Sequence, residues 1–299
     1  MDEHDHARKN HSNKKPLKLA IALTSTIFVA EVIGGVISGS LSLLGDAAHM
    51  LQDSVALMLS LGAMVIAERL PTPTKTFGYH RIEIAAAIIN GLLLIAVSGL
   101  IIWQAIDRFA NPRPVNSTTM LVIAVIGLVA NLAAAYFLHG SHDLNIRSAF
   151  LHVLGDTLSS VAVILAALWI ALTGQTFVDP VLGVVIAVVI LVSSISILND
   201  AFRILLQFTP RDVSIHDVIA AMESVPGVSG VHNVHFWVLC SNINVLDAHM
   251  YCCGKDVREI EQIKTEIKAR LEQFRIRHST LEFECQECLD CRLVRELVD

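Results

Sequence analysis

Six apolar runs, all before residue 207, constrain this chain more than any other feature of its sequence. They cover 17–37, 43–66, 84–106, 118–138, 149–172 and 178–198. A helix crossing the hydrocarbon core needs about 20 apolar residues, so each run reads as a tilted membrane span. Turn-forming and polar clusters separate them: SGSLS, RLPTPTKTFGYHR, RFANPRPVNS, HGSHDLN and TGQTFVD. Composition agrees, with 54% hydrophobic and 17% charged residues, where soluble domains average roughly 45–50% and about 25%. These values exclude a disordered chain, a collagen and a secreted disulfide scaffold. The net charge of −6 leaves no basic excess to neutralise phosphates, so no nucleic-acid partner is expected.

An even number of spans puts both termini on one side of the bilayer. The polar segments on that side carry eleven basic residues: Arg8, Lys9, Lys14, Lys15, Lys18, Arg69, Lys75, Arg81, Arg147, Arg203 and Arg211. The opposite side carries two, Arg108 and Arg113. The positive-inside rule then places the termini in the cytoplasm. The polar start MDEHDHARKNHSNKKP lacks the layout of a signal peptide. The expected organisation is a cytoplasmic tail (1–16), a membrane domain (17–208) and a cytoplasmic domain (209–299). All six cysteines fall in the last of these, in a compartment where thiols more often ligate than cross-link.

Ionisable residues inside apolar spans demand a reason, because a charge at mid-bilayer costs about 2.5–3.5 kcal/mol on insertion scales. The second run holds Asp46, His49 and Asp53; the fifth holds His152 and Asp156. His49 and Asp53 are four residues apart, as are His152 and Asp156, and that spacing stacks each pair on one helix face. Two nitrogens and two oxygens converging between two helices suit tetrahedral Zn²⁺. The alternative is a structural polar network. Asp46, one turn before His49, reads as nearer the aqueous mouth, a residue that either supports the ligands or lines the entry. Glu31 is a separate intramembrane acid, read either as a proton shuttle or as a partner of Asn90 or Asn131.

In the last ninety residues the pattern is α-β-β-α-β: a helix over 212–224, strands over 230–239 and 243–252, an amphipathic helix over 256–274 and a strand over 278–284. This predicts an α+β layer, with an antiparallel sheet and its helices on one face. Metal candidates here are His232, His249, His278 and Glu284, together with the C-x-x-C-x-x-C run at Cys285, Cys288 and Cys291. Redox sensing is the other reading of that run. Cys240, Cys252 and Cys253 read as small packing residues. Strand alternation points His235 away from His232.

The stretches EVIGGVISGSLSLLGDAAHMLQD (31–53), FGYHRIE (77–83), NIRSAFLHVLGDTLSSVAV (145–163), FVDPVLG (177–183), LLQFTP (205–210), GVHNVHFWVL and RHSTLEFE resemble the cation diffusion facilitator family of proton-coupled zinc transporters. The resemblance implies that His49, Asp53, His152 and Asp156 form the transport site, and histidine in both pairs implies preference for zinc. It implies a ferredoxin-like cytoplasmic domain that dimerises. There His232, His249, His278 and Glu284 correspond to a zinc cluster at the dimer interface, and Cys288 and Cys291 to a terminal pair found in some members. It also implies that His80, in the FG-x-H loop, approaches the domain and shares a metal with His278. The chain departs from many members in its short 4–5 loop, which holds only His139 and His142; His4, His6 and His11 of the tail are a small substitute or a solvated tail.

Zinc loading needs neutral imidazole and ionised carboxylate, so it expels protons, and histidine can take protons back from the outer side. The expected function is a bacterial inner-membrane antiporter that moves Zn²⁺ out and H⁺ in, with Cd²⁺ and Co²⁺ as further cargo. A metal sensor and an ion channel are the alternatives, the channel disfavoured because a tight cage holds ions too firmly for rapid flux. No nucleophile–base pair or phosphate loop is present in the sequence, so catalysis is not expected.

Overall fold

The structure is a computed structural model that describes residues 14–67, 71–138, 144–240, 243–252 and 256–285; within its helices the side chains of Asp53 and His152 are outside the described set. His4, His6, His11, His139, His142, Cys253, Cys288 and Cys291 also lie outside the described residues. The chain divides into two compact units, one made of residues 1–68 and 86–198, the other of 69–85 and 199–299.

The first unit is helical. Its elements are α1 (Lys14–Ser38), α2 (Leu41–Ala67), α3 (Arg81–Ala110), α4 (Ser117–Leu138), α5 (Leu144–Thr173) and α6 (Val178–Leu205), the first residues of α3 and the last of α6 belonging to the second unit. Among the described residues, Arg81–Ala110, Val153–Thr173 and Val178–Leu205 are long and apolar enough to cross a membrane. Ser25–Ser38 and Ser117–Ala133 are shorter apolar helices. Outward residues such as Val36, Ile89, Trp103 and Val192 are exposed, as a bundle solvated by lipid tails requires. The interior joins α2, α4 and α5 through Leu43, Met120, Ala124, Val163 and Ala167. A second cluster joins α2, α3 and α6 through Ala48, Leu94, Ile101, Ala187 and Ile190. At Gly183 a Cβ would lie 3.1 Å from that of Leu41, so glycine lets α6 approach α2 closely.

The α1–α2 turn is held from a distance. Gly39 takes a positive φ of 68°, which glycine adopts without steric cost. Asp179, in the first turn of α6 and fully buried, caps the start of α2. Its Oδ1 accepts from Ser40 Oγ at 2.6 Å, Ser42 Oγ at 2.6 Å and Ser42 N at 3.1 Å. Its Oδ2 accepts from Leu41 N at 2.7 Å and from Arg108 of α3 at 3.2 Å. Arg108 also donates to the Gly39 carbonyl. One carboxylate thus satisfies amides that α2 would otherwise leave orphaned and ties α2, α3 and α6 together.

The second unit holds α7 (Ile215–Glu223), β1 (Val231–Cys240), β2 (Ile243–Tyr251), α8 (Val257–Leu271), a 3₁₀ turn (Glu272–Phe274) and β3 (Ile276–Glu284). Asp256 and Glu259 close a reciprocal capping box at the start of α8. Val218, Ile219 and Met222 of α7 and Ile263, Ile267 and Leu271 of α8 pack with Leu246, Ala248 and Met250.

Two expectations need correction. The sheet is mixed: β1 pairs antiparallel with β2, but β2 pairs parallel with β3. The reason is connectivity, since β2 reaches β3 through α8, and a helical crossover returns the chain in the same direction. His235 also faces the same side as His232. The register pairs His232 with His249 and His235 with Asp247, so three steps on β1 match two on β2. The extra residue is a β-bulge at which Asn233 takes a φ of 48°, a conformation that asparagine tolerates better than most residues. Cys240 and Cys252 are buried, as packing residues are, and the Cys252 thiol points at the Gly227 carbonyl at 3.1 Å.

Candidate metal centres

The helical unit brings together the described half of the intramembrane constellation. His49 Nε2 of α2 lies 3.2 Å from Asp156 Oδ1 of α5, and the aspartate side chain is 8% exposed. Asp53 and His152 are four residues away in sequence from His49 and Asp156 on the same two helices; their side chains are outside the described set. Asp46 is not at an aqueous mouth. It is buried, and its Oδ1 accepts from Ser159 Oγ of α5 at 2.6 Å, so it forms a second tie between α2 and α5, one turn from His49. An imidazole nitrogen and a carboxylate oxygen meeting across two helices in an apolar interior form the borderline N/O donor set that suits zinc.

The second unit carries another donor cluster on the sheet face away from the helices. One ligand atom each from His232, His249 and Glu284 lies within 4.8 Å of the others. His249 Nδ1 is 2.8 Å from Glu284 Oε1, and His232 Nε2 is 3.2 Å from Glu284 Oε2. Glu282 approaches His249 Nε2 at 3.5 Å, and the Asn233 amide approaches the same nitrogen at 3.1 Å. The hydrogen bond from His249 and the nearby His232 hold the Glu284 carboxyl below its ordinary range.

His278 does not join this cluster within one chain. It pairs with Val245, while Tyr251 pairs with Glu284. Six residues separate it from Glu284 on one strand, roughly 20 Å at the usual rise. Its ring instead meets the edge of Phe77 at a centroid distance of 5.5 Å, so the FGYHR loop does reach β3. Phe77, not His80, makes that contact; among the described residues no hydrogen bond joins His80 to His278.

The sequence reading missed Asn233, Glu282 and Ser159. Asn233 and Glu282 become neighbours of His249 only through the bulge and the parallel register. Ser159 had one available signal, its place one turn beyond Asp156 on the same helix.

Residues 17–206 match the family profile described as "Cation efflux transmembrane domain", and residues 210–284 match "Cation efflux protein, cytoplasmic domain". The chain belongs to the cation efflux family. Relatives of this cation efflux protein align with nearly its whole length. A "Cadmium, cobalt and zinc/H(+)-K(+) antiporter" of Bacillus subtilis (strain 168) is 39% identical over 94% of this chain and 92% of its own. "Metal cation efflux system protein CzcD" of Cupriavidus metallidurans is 40% identical over 95% and 90%. "Zinc transporter ZitB" of Escherichia coli (strain K12) is 38% identical over 94% and 91%. The protein is thus a multi-pass membrane protein with a C-terminal α+β domain built on a small mixed sheet.

Proposed function

We propose that this cation efflux protein exports Zn²⁺ from the cytoplasm in exchange for H⁺ by alternating access, with Cd²⁺ and Co²⁺ as further cargo. The observation that carries the reading is the His49–Asp156 pair bridging α2 and α5 inside the helical unit. Asp53 and His152 complete a four-ligand set. Neutral imidazole and ionised carboxylate bind the metal, so zinc loading and proton occupancy are linked. The names of the Bacillus, Cupriavidus and Escherichia relatives support cargo and direction. In this reading the chain has six spans, both termini in the cytoplasm, and lies in a bacterial inner membrane as a homodimer. Its domains are 1–16, 17–208 and 209–299, the last ferredoxin-like.

The reading is tested in cells stripped of their own zinc exporters. Expression should restore growth on zinc and lower cytoplasmic zinc; unchanged zinc in cells that make the protein contradicts export. His49→Asp replaces a borderline nitrogen with a hard oxygen, so the variant should gain Mn²⁺ and Cd²⁺ transport relative to Zn²⁺. An ion ranking identical to wild type removes His49 from the selectivity site.

We assign His232, His249 and Glu284 to a regulatory zinc site, with Cys288 and Cys291 as further thiolate candidates. Glu284 keeps its charge to lower pH than an ordinary glutamate because its carboxyl is held low. Protons compete with the metal for the ligand atoms, so zinc affinity at this site should fall as pH is lowered. His232→Ala with His249→Ala should lower the zinc bound per chain and leave the remainder transport-competent. Equal zinc content in variant and wild type refutes the site.

A further inference from the structure

We propose that Glu31 carries the exchanged proton: it takes one up from the outer side as Zn²⁺ departs and releases it to the cytoplasm as Zn²⁺ loads. The inference rests on the transport reading above and assigns a residue to its coupling step. Glu31 sits on α1, which supplies none of the zinc-ligand candidates. Its side chain is buried, with the residue 1% exposed, and among the described residues neither carboxylate oxygen has a hydrogen-bond partner. The other buried acids described in this unit are held: Asp46 by Ser159, Asp156 by His49, and Asp179 by the start of α2.

The room for this carboxyl is made by a glycine. A Cβ on Gly127 of α4 would lie 2.9 Å from Glu31 Oε1, with Ser160 Oγ of α5 at 3.8 Å from the same point. Asn131 of α4 donates to that serine at 3.4 Å, which lines the surroundings with uncharged polar groups. The described charges that act on Glu31 are Asp46 of α2 and Asp156 of α5; none comes from α4. An ionised carboxylate without a partner is disfavoured in such an interior, while the protonated acid is tolerated.

Zinc reverses that preference. A divalent cation on His49 and Asp156 brings positive charge close to Glu31 and favours the loss of its proton. When zinc leaves, two or more negative charges face one another without it and draw a proton back. The O–H bond of the carboxylic acid breaks as zinc loads and re-forms as zinc departs; the proton passes to and from water, and no electron changes hands. Because the proton and metal sites are separate but electrostatically linked, each shifts the affinity for the other.

The test uses the full-length protein in proteoliposomes with a lumenal pH dye and a zinc dye. Glu31→Gln, which fixes the neutral form, should still bind zinc, roughly tenfold more weakly than wild type, and lose roughly tenfold or more of the proton movement per zinc. Glu31→Asp should restore proton movement that Glu31→Gln lacks. Wild-type proton movement in Glu31→Gln overturns the proposal. Loss of zinc binding in Glu31→Gln also overturns it, by making the residue part of the metal site or of the fold. If the wild-type protein moves zinc without protons, the antiport reading itself fails, which separates the two claims.

Discussion

Asp156→Ala is expected to reduce zinc uptake to the level of protein-free vesicles while the purified protein keeps its helical content. Asp156 sits in the helical unit with His49 at 3.2 Å, and removing it takes away one of two carboxylates that would balance a divalent charge. Losing groups that merely orient ligands typically costs roughly 10–100-fold in affinity or activity, so losing a ligand should cost more. Asp53→Ala should behave in the same way, because it stands at the matching place on α2. Flux and helical content, measured on the same preparation, distinguish a lost ligand from a lost fold. Near wild-type zinc flux in either variant would remove these residues from the transport site.

The second large effect belongs to a residue with no place in the metal set. Asp179→Ala leaves Arg108, two hydroxyls and two backbone amides of the α2 start without their shared acceptor. The carboxylate is fully buried and the Arg108 side chain is 11% exposed, so water cannot easily replace the lost bonds. Breaking one side of a buried ion pair typically costs about 3–5 kcal/mol. Thermal unfolding of the detergent-solubilised protein should show a clear fall in midpoint for Asp179→Ala, and a smaller one for Asp179→Asn, which keeps one acceptor oxygen. A midpoint equal to wild type would mean that the cap does not hold the turn.

Much of this architecture is legible in the sequence, for physical reasons that differ between the units. Apolar runs of membrane length declare themselves because a bilayer allows few alternatives for the backbone. The H-x-x-x-D pairs are visible because four residues is one helical turn, so spacing alone places both groups on one face. The capping role of Asp179 is not visible, since its acceptor oxygens serve residues 137 to 139 positions away. Local pattern gives no sign that the FVDP turn will reach the SGSLS turn.

In the C-terminal domain, element order is readable and register is not. Alternation places His235 opposite His232, but the bulge at Asn233 inserts a residue and brings them to one face. The strand of His278 is identified correctly, yet parallel pairing sets Glu284 beside Tyr251 and leaves His278 beside Val245. That register decides which side chains share a donor cluster, and it depends on the α8 crossover rather than on the strand's own residues. Asp46 shows the same limit: its hydroxyl partner Ser159 lies on another helix, 113 residues away.

The most direct measurement of the central claim is zinc uptake by proteoliposomes containing only this protein, with the lumen more acidic than the bath. Zinc should enter faster as the lumen is acidified, and zinc added without a gradient should make the lumen more alkaline as protons leave. Zinc uptake indifferent to the pH gradient, or no greater than in protein-free vesicles, would contradict the account.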